Sequence, residues 1–488
     1  MSTAGSPAAE SRPVQRIRAF GWRDKVGYLS GDVANNLTFY LQTAFFLIFY
    51  TNVMGIQAAH VGTLLFGARI LGAFSDFAAG RLIDVARPGR SGRFKPWLLR
   101  FMVPAAASSV LMFTPLLQDG SYGARLAWMT ITYVLWGSVC YTLINIPYGS
   151  MVSVISPRPG DRAALSVLRS FGGYLAYLGQ AAILPLVVYV QTADGSVLSG
   201  SRMMCAAIGC GLLAILCYLI CFANVEERVV TAPTPKGEGM SFGKLLGALV
   251  ANRALTGMIA GSVVMLTGTM MLAVMLPYLF TEYFGNGQLL SLVNIVGVAP
   301  ILLFIPFATA LAGRFGKREL GIAGIAVATA AGLTLFLLGT DSPYLFMVGY
   351  AVFMLGVAGF ESLVWAVVTD VIDFHEVRTG ERNDGTVYGM YSWARKLGQA
   401  LAGGLSGWAL GWIGYESALG GGSGQSAAVL DGIYALSTLV PALLLGLAGL
   451  ILALWYPLSR QRVQENVAVL AERRTEECRV EELRADAR

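Results

Sequence analysis

Charged residues are scarce in this chain. Aspartate, glutamate, lysine and arginine make up 13% of its 488 residues, whereas an ordinary soluble domain carries about 25%. Histidine is rarer still, with only His60 and His375. So few ionisable groups cannot cover the surface of the several soluble domains that a chain of this length would otherwise form. They also leave few groups for acid–base catalysis.

The motifs of enzymes and of ATP-driven pumps are missing too. The chain has no Walker-type phosphate loop, no nucleophile elbow and no metal-binding histidine box. Its six cysteines show no metal-ligand spacing with the two histidines, so we expect packing residues, no metal and no cofactor. They are Cys140, Cys205, Cys210, Cys217, Cys221 and Cys478. These absences disfavour an enzyme.

Hydrophobic residues, 55% of the chain, are instead gathered in long runs between short charged clusters. A hydrocarbon core about 30 Å thick needs roughly 20 apolar residues per helix. Twelve stretches qualify: 27–54, 60–83, 97–117, 125–155, 166–190, 203–223, 252–281, 287–313, 318–339, 342–372, 386–413 and 430–456. The sequence therefore predicts an all-α polytopic membrane protein with 12 transmembrane helices.

Basic residues concentrate in alternate connections between these predicted spans. The connection before the second span, residues 51–59, is nearly uncharged. The connection after it contains Arg81, Arg87, Arg90, Arg93, Lys95 and Arg100. Because basic loops remain cytoplasmic, we expect both termini in the cytoplasm, in a multi-pass protein of a bacterial inner membrane. The same bias explains the net charge of +6, so no nucleic-acid partner is expected.

The apolar pattern is interrupted near the middle, where Pro233 and Pro235 lie among charges of both signs. This divides the chain into a cytoplasmic tail 1–26, a bundle 27–223, a linker 224–251, a second bundle 252–456 and a tail 457–488. The last tail is expected to form an amphipathic helix or, alternatively, a partner-binding segment. Two six-helix bundles meeting at a central cavity describe the major facilitator fold. Oligomeric state stays open.

Polar residues inside the predicted spans mark the candidate site, because an ionisable group there costs roughly 2.5–3.5 kcal/mol. In the first half they are Asp32, Asn35 and Asn36; Arg69, Ser75 and Asp76; Tyr141, Thr142, Asn145 and Gly149; and Arg169. Tyr141, Asn145 and Gly149 follow one another at steps of four, which places a ring, an amide and a gap on one helical face. Such a face suits a sugar.

The second half repeats this pattern. Tyr388, Ser392 and Lys396 again lie four residues apart, with Arg395 adjacent, and Glu361 shares a face with Trp365. We expect the charges near the cytoplasmic ends to form a gate rather than bind substrate. These are Asp84, Arg93, Lys95, Asp370 and Asp373.

Energy for transport must come from an ion gradient or from the substrate gradient. A carboxylate inside a span can carry a proton or bind a cation; Asp76 is the first candidate and Asp32 the second. The competing interpretation is a static ion pair that only fixes helix packing, either Arg69 with Asp76 or Asp76 with Arg169.

Several segments, taken together, carry a family resemblance. They are Gly27-Tyr28, Gly31-Asp32-Val33-Ala34-Asn35-Asn36, Tyr50-Thr51-Asn52-Val53, Arg69 with Asp76, Gly92-Arg93-Phe94-Lys95-Pro96-Trp97, Asn145-Ile146-Pro147-Tyr148-Gly149-Ser150, Asp370-Val371-Ile372-Asp373, and Arg395-Lys396 with Gly398-Gln399. Over residues 27–457 the chain resembles the glycoside–pentoside–hexuronide:cation symporter family of the major facilitator superfamily. Its glucuronide carriers are the most similar in motif.

The resemblance implies a sugar site. In the melibiose carriers of this family, first-span and fourth-span aspartates bind sugar hydroxyls, and those positions match Asn36 and Asn145. Amides keep the hydrogen bonds without the charge. The resemblance thus implies an acidic glycoside, most simply a glucuronide, bound by Asn36, Asn145, Arg169 and Lys396.

The resemblance is weaker at the cation site. Sodium-using relatives carry a second-span aspartate where this chain has Gly72 and an asparagine where it has Ser75, whereas Asp76 is kept. We therefore expect proton coupling through Asp76, with sodium as the alternative. Two other functions remain open: transport of a lysophospholipid or similar amphipath, and a membrane sensor that transports nothing.

Overall fold

The computed structural model describes residues 18–86, 89, 91–192, 195–229, 252–380, 384–419 and 424–486. The first six spans are Trp22–Ile48, Ala58–Val85, Lys95–Met112, Tyr122–Ile155, Pro159–Val188 and Gly200–Asn224. The other six are Arg253–Tyr283, Leu290–Phe315, Lys317–Leu338, Pro343–Thr379, Asp384–Trp412 and Ala427–Leu454. The chain is an all-α polytopic membrane protein with 12 transmembrane helices in two six-helix bundles, as the sequence predicts.

Nine of the described helices are long and apolar enough to cross a membrane by length and composition alone. The first, third and eleventh spans complete the twelve. The first and eleventh carry polar residues inside the helix, among them Asp32, Asn36 and Lys396. These two helices therefore face something other than lipid over part of their length.

Helix boundaries differ from the predicted ones where a helix extends beyond its apolar part. The first helix begins at Trp22, inside the segment 1–26 predicted as a tail, and the fifth begins at Pro159. Hydropathy detects only the apolar portion of a helix, so it misses polar first turns. Residues 230–251 of the predicted linker lie outside the described residues. The tail predicted from residue 457 onward contains a helix, Arg460–Asp486, and its amphipathic character stays a prediction.

A short β-hairpin joins the fifth and sixth spans, and the sequence did not predict it. Strands β1 (Tyr189–Thr192) and β2 (Gly195–Leu198) pair antiparallel. The fully buried Tyr189 ring lies against Gly287 of the second bundle, where an added Cβ would stand 2.6 Å from the ring. The hairpin therefore belongs to the interface between the bundles.

Both ends of the membrane-spanning part lie on one side of the bundles, which we call the terminal side. There the fully buried Asp24 holds the start of the first span to the end of the sixth. Its carboxylate pairs with Arg228 at 2.9 Å and with Arg18 at 3.0 Å. Two cations around one buried carboxylate compensate for its lost hydration. The opposite side is called the far side.

The two bundles approach most closely through glycines of the second and eleventh spans. A Cβ on Gly407 would lie 2.5 Å from the Gly62 Cα and from the Ala58 carbonyl oxygen. Nearby, the Trp408 indole donates a hydrogen bond to the Thr63 hydroxyl over 3.0 Å. Small residues let helix backbones meet directly, so these two spans form a contact on the far-side half of the molecule.

Five polar residues, which we call the far-side latch, join the bundles at the far side. Asn52 Nδ2 donates to Glu282 Oε1 over 2.9 Å. The Tyr415 hydroxyl lies 2.7 Å from Asn52 Oδ1 and 2.9 Å from Glu282 Oε1 and can donate to either. Beside them the Thr51 and Tyr278 hydroxyls are 2.7 Å apart. All but Asn52 are buried, so the latch closes the far side to water.

The terminal side is arranged differently. Hydrogen bonds between described side chains of the two bundles lie at the far side or near mid-span. On the terminal-side halves of the spans, large side chains are exposed, among them Phe74, Phe171, Trp365, Tyr388 and Trp393. The contacts between the bundles that the structure describes thus hold the far-side half together.

Replacing Tyr415 by phenylalanine should loosen the far side. The ring keeps its contact with Tyr278, at 5.3 Å between centroids, while the hydrogen bond from its hydroxyl to Asn52 of the first bundle is lost. A hydrogen bond between neutral groups contributes about 0.5–1.5 kcal/mol, so we expect the population open at the far side to rise roughly twofold to tenfold. The measurement is the rate at which an impermeant maleimide labels a cysteine introduced at the buried Ala58.

The exposed Tyr344 supplies the control. Tyr344→Phe should leave the labelling rate unchanged, and the chain without Ala58→Cys should give the background from native cysteines. An unchanged rate in Tyr415→Phe would show that the latch does not hold this side closed.

Candidate substrate and cation site

The first and fifth spans meet at a charged pair. The Arg169 Nε donates to Asp32 Oδ1 over 3.3 Å, and Asn36 Nδ2 donates to Asp32 Oδ2 over 2.8 Å. Gly173 lies opposite, where a Cβ would stand 3.2 Å from Asp32 Oδ2. The glycine lets the helices approach until the buried carboxylate finds both donors. Asp32 is thus held by two side chains.

Part of the Arg169 guanidinium has no hydrogen-bond partner among the described residues. Its Nε serves Asp32, but neither terminal nitrogen hydrogen-bonds to a described residue, and 43% of its side chain is exposed. The guanidinium lies 5.6 Å from the centroid of the Tyr148 ring, and a Cβ on Gly149 would stand 3.5 Å from Nη1. The missing side chain at Gly149 therefore leaves space beside two unused donors.

A second charged pair joins the two bundles. Lys396 Nζ of the eleventh span contacts Asp76 Oδ2 of the second. The Thr142 hydroxyl of the fourth span donates to the other oxygen, Oδ1, over 2.9 Å. Both charged side chains are partly exposed. Asp76 is therefore bridged to the opposite bundle by a side chain that solvent can reach.

Arg69 takes part in neither pair. Its Nη1 donates to Gln399 Oε1 over 3.2 Å, and its Nη2 donates to Gln42 Oε1 over 3.1 Å. The guanidinium also lies over the Phe39 ring at 5.3 Å. Both static pairs considered from the sequence, Arg69–Asp76 and Asp76–Arg169, are therefore wrong. Asp76 pairs with Lys396, and Arg169 pairs with Asp32.

Two predicted site residues point elsewhere. Asn35 is buried and accepts a hydrogen bond of 2.8 Å from the Tyr218 hydroxyl of the sixth span, inside the first bundle. The Ser75 hydroxyl donates to the Leu71 carbonyl of its own helix over 3.1 Å. Residues one position apart lie about 100° apart around a helix, which is why Asn35 faces the sixth span while Asn36 meets Asp32. The roles predicted for Asn35 and Ser75 stay predictions.

The fourth span contributes a polar and an aromatic residue. Asn145 is partly exposed and hydrogen-bonds to none of the described residues. The Tyr141 ring stacks on Phe39 at 5.8 Å and lies 5.1 Å from Trp136. The amide is available to a ligand, whereas the tyrosine is held mainly by aromatic packing.

The second bundle presents an aromatic face. The Trp365 ring is 45% exposed, stacks on Tyr388 at 5.9 Å and meets Tyr391 edge-on at 5.0 Å. Ser392 is exposed one helical turn before Lys396. An exposed indole beside hydroxyl and ammonium groups can stack on a sugar ring while polar neighbours bind its hydroxyls.

The predicted gate charges contact their own bundles. The Arg93 guanidinium donates to the Ile83 carbonyl over 3.3 Å, and Lys95 Nζ donates to the Val225 carbonyl over 2.6 Å. Asp370 pairs with Lys317 at 2.7 Å. Asp373 lies one turn further along, and the side chain of Asp84 lies outside the described residues. A gate formed by these charges stays a prediction, for a state closed at the terminal side.

Sequence reasoning missed other residues of the interface and the cleft. Gln42 was not noticed, and Gln399 was noted only for the family resemblance, because uncharged amides are less costly in a span than charges. Glu282 is a carboxylate near the end of an apolar stretch, and that position alone could have marked it. Tyr415 lies beyond the eleventh span, and no sequence signal distinguishes it from other loop tyrosines.

Two six-helix bundles joined by buried and half-buried charges near mid-span define a membrane transporter. Residues 27–460 match the sequence model of the family described as MFS/sugar transport protein. The chain belongs to this family, a branch of the major facilitator transporters, and its function is that of a transporter for sugar-type solutes.

Curated relatives are similar over nearly their whole length. The chain is 31% identical to the glucuronide carrier protein homolog of Escherichia coli (strain K12), over 93% of this chain and 96% of the relative. It is 30% identical to the isoprimeverose transporter of Lactiplantibacillus pentosus, over 92% of each chain. Among solved structures, a bacterial homolog of the lysosomal transporter Spinster superposes with a TM-score of 0.66 at 12% identity, covering 92% of this chain and 99% of that chain.

Proposed function

We propose that this protein is a proton-coupled symporter of a glycoside that carries an acidic group, most simply a glucuronide. The observation that carries this proposal is Arg169, which offers two unused guanidinium nitrogens to the cleft beside the gap at Gly149. A planar guanidinium with two free donors binds a carboxylate in a bidentate manner.

The relatives do not decide between an acidic and a neutral sugar. One is named for glucuronide and another for isoprimeverose, at nearly equal identity. The preference rests on charge. Asp32 is already bonded to Arg169 and Asn36, so an acidic group placed beside Arg169 meets donors rather than a bare carboxylate. Asn36, Asn145 and Lys396 then supply hydrogen bonds to the sugar, with Ser392 and the Trp365 ring on the opposite bundle.

Coupling is assigned to the pair of Asp76 and Lys396. A proton on Asp76 removes the charge that holds Lys396, and thereby weakens a bridge between the bundles. Hard cations need several oxygen ligands, but Lys396 already contacts one Asp76 oxygen and the Ser75 hydroxyl is turned to its own backbone. This arrangement favours a proton over sodium. Asp32, buried next to Arg169, is the second candidate carrier.

The transport cycle then alternates between a state closed at the far side and a state closed at the terminal side. With the terminal side in the cytoplasm, the structure is the inward-open state, and the far-side latch must open for substrate to enter. The charges predicted as a gate, including Arg93, Lys95, Asp370 and Asp373, would close the terminal side in the other state.

Uptake into proteoliposomes tests the proposal. We expect radiolabelled phenyl β-D-glucuronide to accumulate when an inward proton gradient is imposed, and an inward sodium gradient at constant pH to have no effect. Phenyl β-D-glucoside, which lacks only the carboxylate, should compete more weakly, and a lysophospholipid should not compete. Competition by the lysophospholipid alone would establish the amphipath function instead. If none of the three compounds supported counterflow, the protein would be a membrane sensor rather than a transporter of these solutes.

A further inference from the structure

The tenth span is broken near its middle. One helix ends at Glu361, residues Ser362 and Leu363 form a turn, and a second helix begins at Val364. The Ser362 hydroxyl is buried without a hydrogen-bond partner. Non-helical backbone at membrane depth is tolerated where it is enclosed by protein or lines a watery cavity. The break therefore lies where protein or a cavity, rather than lipid, surrounds the backbone.

Glu361 is the charged residue at this break. Its side chain is exposed and makes no hydrogen bond or ion pair with any residue that the structure describes. Trp365, one turn further along the same helical face, contacts Tyr391 and the Arg395 guanidinium of the eleventh span. Because Glu361 shares this face and a carboxylate against lipid is costly, Glu361 faces the cleft.

The other carboxylates of the cleft are already occupied. Asp32 is bonded to Arg169, and Asp76 is bonded to Lys396. Arg395 does not pair with Glu361, since its guanidinium lies over the Trp365 ring at 5.8 Å. A carboxylate inside a span is retained only where it has a use. Glu361 thus offers acceptor oxygens that lack donors.

The position of Glu361 fits one kind of donor. Trp365 follows one helical turn later and presents an exposed ring. A sugar ring stacked on that indole would direct hydroxyls toward Glu361, and a carboxylate accepts hydrogen bonds from two neighbouring hydroxyls. Lys396 of the eleventh span contacts Asp76, which accepts a hydrogen bond from the fourth span. Arg169 lies beside Gly149 of that same span, so its donors lie on the first-bundle side of this cleft.

We propose that Glu361 is a specificity-determining residue that accepts hydrogen bonds from the sugar's ring hydroxyls and thereby orients the acidic group toward Arg169. The inference rests on the proposed function. A substrate carboxylate placed beside Glu361 would be repelled, so the reversed orientation is disfavoured. Glu361 thus recognises the hydroxyl groups of the sugar, and Arg169 recognises its negative charge.

Competition during counterflow in proteoliposomes tests this with the full chain and two matched ligands, phenyl β-D-glucuronide and phenyl β-D-glucoside. Hydrogen bonds to a charged acceptor are about twice as strong as neutral ones. Glu361→Gln should therefore weaken both ligands by about tenfold and keep their affinity ratio. Glu361→Asp, which keeps the charge, should bind both ligands better than Glu361→Gln. Glu472→Gln, on the exposed C-terminal helix, should match the wild type.

Three results would overturn the assignment: unchanged affinities in Glu361→Gln, a change confined to the glucuronide, or Glu361→Asp binding no better than Glu361→Gln. The first result excludes contact between Glu361 and the sugar, and the second places the ligand's carboxylate beside Glu361. The third would mean that Glu361 only shapes the site and accepts no hydrogen bond through its charge. Failure of the wild type to bind either ligand would instead refute the proposed function, and this proposal with it.

Discussion

Asp76→Asn should abolish accumulation of the glycoside against its gradient while leaving exchange across the membrane intact. Asparagine is nearly the same size, and its oxygen can still accept from Thr142, but it takes up no proton and holds no charge against Lys396. Without a titrating group the substrate only equilibrates. We expect proton-driven uptake to fall to the level of passive equilibration and counterflow to stay within about twofold of the wild type.

Two comparisons make this result specific. Asp119→Asn changes an exposed aspartate between the third and fourth spans and should leave uptake unchanged. Asp32→Asn tests the second candidate carrier in the same assay. If Asp76→Asn retained uptake stimulated by a proton or a sodium gradient, Asp76 would not be the coupling residue.

Arg169→Gln should weaken binding of an acidic glycoside and spare a neutral one. Loss of a bidentate, charge-assisted contact costs about 1.5–3 kcal/mol, which corresponds to roughly a 10-fold to 150-fold lower affinity for phenyl β-D-glucuronide. The affinity for phenyl β-D-glucoside should change by less than about threefold. Competition during counterflow measures both.

Arg169 also compensates the charge of the buried Asp32, so its loss leaves a carboxylate without its cation. The double variant Asp32→Asn with Arg169→Gln removes both charges and keeps the site neutral. It should show the same selective loss of glucuronide binding. Arg169→Lys keeps the charge but not the planar fork, and should lie between the wild type and Arg169→Gln. Equal loss of both ligands in the double variant would assign Arg169 to helix packing.

Much of the site could be found without coordinates. Asp32, Asn36, Arg169 and Lys396 stand out because polar groups inside apolar stretches are costly, and that cost is visible in one dimension. Their assignment to spans is correct for the same reason. The β-hairpin was not predictable in this way, because the apolar run extends to residue 190 without marking where the helix stops at Val188.

The sequence by itself determined the membrane spans and the polar residues that they contain. Insertion of a helix in a bilayer depends on its local hydrophobicity and its length. Tertiary structure alone decided the pairing. Asp76 meets Lys396 across 320 positions, and Arg169 meets Asp32 across 137. The rotation of the first span placed Asn35 against Tyr218 of the sixth span. Rotation and pairing follow from the packing of whole helices against each other, which no local pattern records.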